Sequence, residues 1–340
     1  MKKILYHKYN LPADIVPLSL YTKITGVKFL APFYHIVAET PPPHLNTIYR
    51  VRSTKDFEND LDFLLKYFRP VDLATLLSAI KEKRIFSKPS FFLSFDDGLR
   101  EFHDVIVPIL LRKGIPATCF INTGFLDNKD LFYRYKICLL INKIQEDPGR
   151  MVPVVNKWLD ENNLLSESYV HSLLKIDYSH RYLADDLAGI IHLSFNEYLH
   201  RAKPYLTVDQ IFYMIRKGFT FGSHSIDHPV YQNLQIEEQI RQTVESSKVM
   251  TSKFGLPYRI FSFPFTDSGI SGSFFEKINS SAKFDLTFGC AGMKSDSFYR
   301  NIQRIPAEEY DVSLKKRIKR DYFYYMVKSL ISKNRIKRNR

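Results

Sequence analysis

Short apolar runs alternate with amphipathic segments along most of the chain, and this alternation limits the fold more than any other feature. The apolar runs predict buried strands at 28–35, 90–95, 117–122, 219–223, 260–264 and 285–289. Apolar residues at helical spacing predict helices at 56–68, 71–81, 99–113, 207–217, 236–254 and 273–281. Because parallel strands need crossover connections, this order predicts an α/β fold with a parallel sheet, open or closed.

The alternation stops at one place, between 128 and 205, where three helical segments occur and no convincing strand. With 340 residues, one barrel with an insertion fits as well as two modest domains. We predict a first barrel part at 1–127, a helical insertion over one rim at 128–205, a second barrel part at 206–312 and a tail at 313–340.

The net charge of +13 is concentrated in this tail. From Lys315 to Arg340 there are 11 Lys or Arg and one acid, Asp321, which leaves the rest of the chain nearly balanced. A charge distribution of this kind does not favour nucleic acid as a partner. The tail alternates basic clusters with aromatic residues, which predicts an amphipathic helix on an anionic membrane surface; the alternative is a solvated terminal helix.

The cellular location is predicted from the cysteines and the first residues. Cys119, Cys138 and Cys290 are few, unpaired in spacing and typical of reduced thiols. Residues 1–6 begin like a secretory leader, but His7 and Lys8 interrupt the apolar run. We therefore expect a cytoplasmic protein, peripheral at the inner membrane face if the tail binds lipid.

Two strand ends carry the chemistry. The run 91–93 leads into Ser94-Phe95-Asp96-Asp97-Gly98, and the run 219–223 leads into His224-Ser225-Ile226-Asp227-His228. The carboxyl ends of parallel strands meet at one edge of a sheet, so these side chains are expected to lie together. Asp97, His224 and His228 provide three ligands for a divalent metal, with zinc the best fit and Co, Ni, Mn or Fe as alternatives.

The second carboxylate gives this candidate site a further group. If a turn at Gly98 brings Asp96 into the same pocket, one carboxylate would bind metal and the other would take a proton. A simpler interpretation is that Asp-Asp-Gly is only a helix-entry turn and that the two histidines are paired by accident. The occurrence of both motifs at strand ends of one alternating pattern favours a shared site.

Both motifs resemble those of the polysaccharide deacetylase family, the carbohydrate esterases of family 4. The similarity extends over about 29–125 and 206–306. It implies a distorted (β/α) barrel with about seven parallel strands and an N-acetylated glycan as substrate. It also implies that Asp96 is the general base and that Asp97, His224 and His228 hold the metal.

Two family motifs are altered in this chain. The third motif usually reads Arg-Pro-Pro-Tyr, whereas residues 262–265 here read Ser-Phe-Pro-Phe, so Arg259 or Arg304 is expected to replace the missing arginine. No histidine follows His228. In a circularly permuted branch of the family the final motif moves to the N-terminus, and Pro32-Phe33-Tyr34-His35-Ile36-Val37 resembles it, which makes His35 the predicted general acid.

Aromatic residues are candidates for substrate contacts. A backbone N–H near Phe265 is predicted to contact the oxyanion, and Phe265, Tyr231 and the cluster Phe132-Tyr133-Arg134-Tyr135 are candidates for stacking on sugar rings at the rim. The expected function is removal of an N-acetyl group from an amino sugar of a cell-surface glycan or its precursor. The alternatives are a hydrolase of a small amide and a glycan-binding or membrane-docking pseudoenzyme with a degenerate site.

Overall fold

The computed structural model describes residues 16–308 and 312–339. The leader-like residues 1–8 lie outside this part of the chain. The elements before the insertion are α1 (Leu18–Thr25), β1 (Phe29–Leu30), β2 (Pro32–Tyr34), α2 (Thr54–Tyr67), β3 (Arg69–Pro70), α3 (Leu73–Lys81), β4 (Ser90–Phe91), β5 (Leu93–Phe95), a π-helical turn (Phe102–Ile106) continuing as α4 (Val107–Lys113), and β6 (Ala117–Ile121).

The insertion is entirely helical in its regular structure, as the sequence predicts. After a 3₁₀ turn (Leu126–Asn128) it contains α5 (Tyr133–Glu146), α6 (Pro148–Glu161), α7 (Tyr169–Leu174), α8 (Leu183–Ile190) and α9 (Phe195–Ala202). One hydrophobic cluster joins its helices to barrel residues such as Ile36, Leu99 and Phe125. The insertion therefore packs directly on the barrel.

The barrel then resumes. Its second part contains α10 (Val208–Arg216), β7 (Thr220–Ser223), a 3₁₀ turn (Tyr231–Asn233), α11 (Ile236–Phe254), β8 (Ile260–Ser262), α12 (Gly272–Ala282), β9 (Leu286–Gly289), β10 (Ser295–Asp296), β11 (Asn301–Gln303), β12 (Ile305–Pro306), α13 (Leu314–Ser329) and β13 (Arg335–Ile336). Thr207 and Gln210 form a capping box that begins α10, because each side chain accepts a backbone N–H of the other residue.

The main sheet is parallel throughout and runs in the order β11-β9-β8-β7-β6-β5-β2-β12. Its two outer strands, β11 and β12, are separated only by Arg304, so one extended stretch closes both edges of the sheet. The predicted distorted barrel is confirmed. The sequence does not predict strands at 301–306, because this stretch is short and its apolar residues are interrupted by polar ones.

The predicted tail is not a separate appendage. Leu314, Ile318 and Tyr322 of α13 are fully buried, and the Tyr322 hydroxyl donates a hydrogen bond to the Val27 carbonyl over 2.8 Å. The first half of α13 therefore packs on the protein body, whereas Leu330 and Ile331 after it are exposed. Within residues 16–308 and 312–339, no helix is both long and apolar enough to span a bilayer.

Candidate active site

The strand register brings the predicted site residues together at the carboxyl ends of the barrel strands. Tyr34 of β2 pairs with Phe95 of β5, so the residues that follow them, His35 and Asp96, leave neighbouring strands. Ser223 of β7 pairs with Phe261 of β8, which places His224 next to Ser262. Both predicted motifs therefore face one mouth of the barrel.

Asp97, His224 and His228 form a compact, buried group whose potential ligand atoms all lie within 4.8 Å of one another. Asp97 Oδ1 lies 3.5 Å from His224 Nε2 and 3.2 Å from His228 Nε2. His224 and His228 lie on the loop after β7 and not on a helix, as the adjacent Pro229 indicates. The predicted three-residue cluster is thus present.

The bonding of these residues fits a metal ion. None of the described residues donates a well-aligned hydrogen bond to Asp97 Oδ1, although this atom is buried. The other ring nitrogen of His224, Nδ1, donates to the Ser262 carbonyl over 2.8 Å, which leaves the Nε2 lone pair facing Asp97. Burial lowers the pKa of His224 to about 4, so the ring is neutral at pH 7, as a ligand must be.

Asp96 is held by an arginine from the stretch that closes the barrel. Arg304 Nη1 and Nη2 donate to the two carboxylate oxygens over 2.8 and 2.7 Å, a bidentate arrangement. Burial by itself raises the pKa of Asp96, but the Arg304 charge outweighs it and holds the pKa below its usual range. Of the two predicted substitutes for the missing family arginine, Arg304 therefore contacts Asp96. Arg259 instead donates to the Ala282 carbonyl.

His35 is held by a carboxylate that the sequence analysis missed. Glu308 Oε2 lies 2.9 Å from His35 Nδ1, while Glu308 Oε1 accepts the backbone N–H groups of His35 and Ile36. Tyr49 also places its hydroxyl 2.6 Å from the same ring nitrogen. Burial lowers the pKa of His35, but the hydrogen bond to Glu308 and the charge of Glu308 together raise this pKa to about 9. The imidazole therefore carries a proton at pH 7.

Four non-glycine residues at this mouth adopt left-handed backbone conformations: Asp97 (φ 71°), Ser225 (φ 73°), His228 (φ 61°) and Phe265 (φ 55°). Such conformations cost free energy and concentrate at functional sites. Gly98 continues the turn after Asp97 at φ 66°, and a Cβ there would lie 2.8 Å from Ile121 Cδ1. The local strain turns the functional side chains into one space.

The aromatic candidates occupy different environments. The Phe265 ring is 40% exposed and contacts the His228 ring at 4.6 Å between centroids, so it remains a candidate for substrate contact. Tyr231 is fully buried, and its hydroxyl pairs with Thr243 at 2.9 Å; its prediction as a sugar-stacking residue is wrong. Phe132, Tyr133 and Tyr135 are also buried and cannot stack on a sugar at the surface.

The insertion reaches the site through Tyr135, whose hydroxyl lies 3.2 Å from Asp97 Oδ2. A cavity of about 270 Å³ also lies between insertion and barrel. Its lining consists of Phe125, Asp130, Leu131, Tyr133, Lys136, Arg181, Tyr182, Asp185 and Asp227. Since Asp227 belongs to the loop that carries both histidines, the insertion shapes the space beside the second motif.

The family comparison agrees with this site. The polysaccharide deacetylase family model matches residues 83–271, which is more than half of the chain. The chain therefore belongs to the polysaccharide deacetylase family and is a hydrolase of N-acetyl amide bonds. The matched region contains Asp96, Asp97, His224 and His228, whereas His35 and Arg304 lie outside it and join the site only through the fold.

Two solved structures share the fold over most of their length. IcaB from Ammonifex degensii is 14% identical, with a TM-score of 0.54, and the alignment covers 87% of this chain and 97% of that one. The Streptococcus pyogenes deacetylase PplD, solved in complex with acetate, is 14% identical, with a TM-score of 0.53 over 85% and 96% of the two chains. No curated protein sequence matches this chain.

Proposed function

We propose that this protein is a metal-dependent deacetylase that hydrolyses the N-acetyl group of an amino sugar in a cell-surface polysaccharide or its precursor. The observation that carries the proposal is the pairing of two ionisable groups around the candidate ligand set. Asp96 is held ionised by Arg304, and His35 is held protonated by Glu308. An anionic base and a cationic acid at one barrel mouth are what amide hydrolysis requires.

Asp97, His224 and His228 are the residues that would hold the metal. A bound divalent ion would lower the pKa of a water molecule and polarise the acetamide carbonyl, with zinc the preferred ion and Co, Ni, Mn or Fe as alternatives. The neutral state of His224 and the unpaired Asp97 Oδ1 support this assignment.

Asp96 acts as the general base in this scheme. Its carboxylate removes a proton from the attacking water, and the bidentate Arg304 contact keeps the carboxylate oriented. Ser262 supports the same pair, because its hydroxyl lies 2.6 Å from Arg304 Nη2 and 3.3 Å from Asp96 Oδ2. The general base is thus fixed from two sides.

His35 acts as the general acid. Because Nδ1 is engaged by Glu308, Nε2 is the nitrogen left to donate a proton to the departing amine as the C–N bond breaks. The backbone N–H near Phe265 is proposed to stabilise the oxyanion. The products are acetate and an amino sugar with a free amine.

The location of the reaction is a further part of the proposal. We place the protein in the cytoplasm, with peripheral contact to the anionic inner membrane face where glycan precursors would be carried. Support comes from the basic end of the chain, since Lys315, Lys316, Lys333 and Lys337 are exposed. Tyr322 of α13 packs on the body, whereas the apolar residues Leu330 and Ile331 after the helix are exposed beside this charge.

The deciding experiment measures acetate release from N-acetylated oligosaccharides of different sugars and lengths and from small acetamides. It compares metal-loaded protein, chelated protein, Asp96→Asn and Asp186→Asn, a control at an exposed aspartate of the insertion. We expect metal-dependent release from oligosaccharides that is lost in Asp96→Asn and retained in Asp186→Asn.

Other outcomes would replace the proposal. Release from small acetamides alone would indicate a small-molecule amide hydrolase. Absence of release from every substrate, with glycan binding retained, would indicate a pseudoenzyme. Release that persists after complete metal removal would contradict the metal-dependent mechanism.

A further inference from the structure

We propose that Tyr135, which belongs to the helical insertion, is a positioning residue of the metal centre that orients Asp97 through a hydrogen bond to Oδ2. The inference rests on the proposed metal-binding role of Asp97, His224 and His228. It gives the insertion a part in metal binding, in addition to its place over the barrel.

The two oxygens of Asp97 have different surroundings. Oδ2 lies 3.2 Å from the Tyr135 hydroxyl. Oδ1 lies toward the Nε2 atoms of both histidines and has no well-aligned hydrogen-bond donor among the described residues. A hydroxyl that fixes Oδ2 thus leaves Oδ1 directed at the place where a metal would bind.

The hydrogen bond has only one chemically consistent direction. An ionised carboxylate can only accept a hydrogen bond, and a carboxylate that binds a metal does so in its ionised form. The Tyr135 hydroxyl supplies the proton that lies between the two oxygens. Tyr135 is therefore the donor and Asp97 the acceptor.

The insertion fixes the position of Tyr135 through its own ends. Asn128 and Tyr205, at the two ends of the insertion, exchange two hydrogen bonds: the Asn128 amide donates to the Tyr205 carbonyl over 3.2 Å, and its oxygen accepts the Tyr205 N–H over 2.8 Å. The Tyr205 hydroxyl then accepts the Phe132 N–H, and the Tyr205 ring stacks near Tyr135. The start of α5 is thereby anchored where the chain leaves and re-enters the barrel.

The residue just before α5 also contacts a second predicted metal ligand. The Phe132 ring packs against the His228 ring with 4.6 Å between centroids, and the Phe265 ring makes a contact of the same length beside it. Two residues of the insertion thus touch two of the three candidate ligands. Groups that contact metal ligands in this way typically alter metal affinity by about 10- to 100-fold when they are removed.

The test is the zinc affinity of the metal-free full-length Tyr135→Phe variant, measured by competition with a chromophoric chelator. Its Co²⁺ absorption spectrum gives a second readout that reports the ligand geometry directly. We expect zinc binding weakened by roughly tenfold or more and a changed Co²⁺ spectrum. Tyr322→Phe is the matched control, because that tyrosine is also buried but its hydroxyl bonds to Val27.

A second variant separates positioning from folding. Tyr198→Phe removes the hydroxyl of another buried tyrosine of the insertion, one that bonds to His44 instead of Asp97. Any loss of thermal stability in Tyr135→Phe is compared with the loss in Tyr198→Phe, for which we expect the wild-type Co²⁺ spectrum. A spectrum changed equally in both variants would overturn the specific role of Tyr135.

The failure of this inference and of the proposed function are distinguishable. Wild-type zinc affinity and an unchanged Co²⁺ spectrum in Tyr135→Phe would overturn the role of Tyr135 and leave metal-dependent deacetylation in place. A wild-type protein that takes up neither Zn²⁺ nor Co²⁺ would overturn both proposals.

Discussion

Two ion pairs, one buried and one partly buried, set the protonation states of the candidate catalytic groups. Arg304 holds Asp96 in its charged form, and Glu308 holds His35 in its charged form, although burial alone opposes both charges. The two pKa values are thereby moved apart, one below the usual range of a carboxyl group and the other to about 9. A wide interval of pH then has the base ionised and the acid protonated.

The His35 pair leads to a prediction for Glu308→Gln. His35 faces Glu308, Tyr49, Asp96 and Asp97, and Glu308 contributes most to raising its pKa. Without that charge, the pKa of His35 falls toward its usual value by about one unit or more. The alkaline limb of the plot of kcat/KM against pH should therefore shift to lower pH by the same amount. Glu39→Gln, at an exposed glutamate, is the control and should leave this limb unchanged. An unmoved limb in Glu308→Gln would exclude His35 as the titrating acid.

Arg304→Met is predicted to affect both folding and activity. The substitution leaves the Asp96 carboxylate buried without its counter-charge, which costs about 3 to 5 kcal/mol of unfolding free energy. Because the pKa of Asp96 is lowered in the folded protein, this stability is present at pH 7 and is lost as pH falls through that lowered value. Urea denaturation between pH 3 and pH 7 measures it.

Arg259→Met provides the comparison for Arg304→Met. Arg259 was the second candidate to replace the missing family arginine, but its guanidinium bonds to the Ala282 carbonyl. We expect this variant to keep most of its deacetylase activity. Comparable losses of activity in both variants would contradict the assignment of the Asp96 contact to Arg304.

At the level of elements, the loops after the strands do most of the positioning. The left-handed backbones at Asp97, His228 and Phe265 turn the loops after β5, β7 and β8 toward one point. The insertion enters and leaves the barrel beside the first of these loops, because the Gly98 carbonyl accepts the Leu206 N–H over 2.9 Å. We therefore expect a coupling in which a change at the ends of the insertion alters the first motif.

Asn128→Ala tests this coupling. Asn128 makes two hydrogen bonds to Tyr205 and has a left-handed backbone (φ 58°), so we expect a loss of about 2 kcal/mol in stability together with weaker metal binding. Asn163→Ala, at an exposed position of the insertion with φ 55°, carries a similar backbone cost and is the control. Chelator competition and thermal denaturation measure the two effects. Wild-type metal affinity in Asn128→Ala would show that the ends of the insertion do not influence the site.

At the level of the whole molecule, the C-terminal part of the chain completes the barrel and secures its loops. The stretch 301–306 closes the sheet, and Arg338 bonds to the carboxylates of Asp267 and Asp296. Asp267 follows Phe265 by two residues in the loop after β8. Residues close to the end of the sequence therefore support a loop of the candidate site.

Removal of the Arg338 charge should destabilise the protein. In Arg338→Ala, Asp267 and Asp296 remain buried without their common cation, which predicts a loss of about 3 kcal/mol or more in unfolding free energy. Arg335→Ala, at an exposed position of β13, is expected to change it by about 0.5 kcal/mol or less. Urea denaturation of both variants decides whether Arg338 supports the fold.

The membrane proposal is tested by charge reversal, because truncation before α13 would remove core residues such as Leu314 and Tyr322. Glutamate at positions 315, 316, 333 and 337 should abolish co-sedimentation of the full-length protein with anionic vesicles and leave its thermal stability nearly unchanged. Equal co-sedimentation of wild type and variant would remove the support for membrane contact.

Local patterns were enough to predict much of this protein. The alternation of apolar and amphipathic segments predicts the parallel barrel, and α11 has the predicted bounds, Ile236–Phe254. Asp96, Asp97, His224 and His228 follow strands within a few residues, so their location at one sheet edge could be inferred from sequence order. These features depend on short-range spacing, which the sequence shows directly.

Contacts between distant parts of the chain were decided only by tertiary structure. Glu308 is 273 residues from His35, Arg304 is 208 residues from Asp96, and Tyr135 belongs to a segment that resembles surface aromatics in the sequence. Tyr231 was likewise misassigned, because an aromatic residue in the sequence does not show whether its ring lies in the core or at the surface. Spacing along the chain therefore determined the elements and the candidate ligands, whereas the closure of the barrel determined which charges and hydroxyl groups meet them.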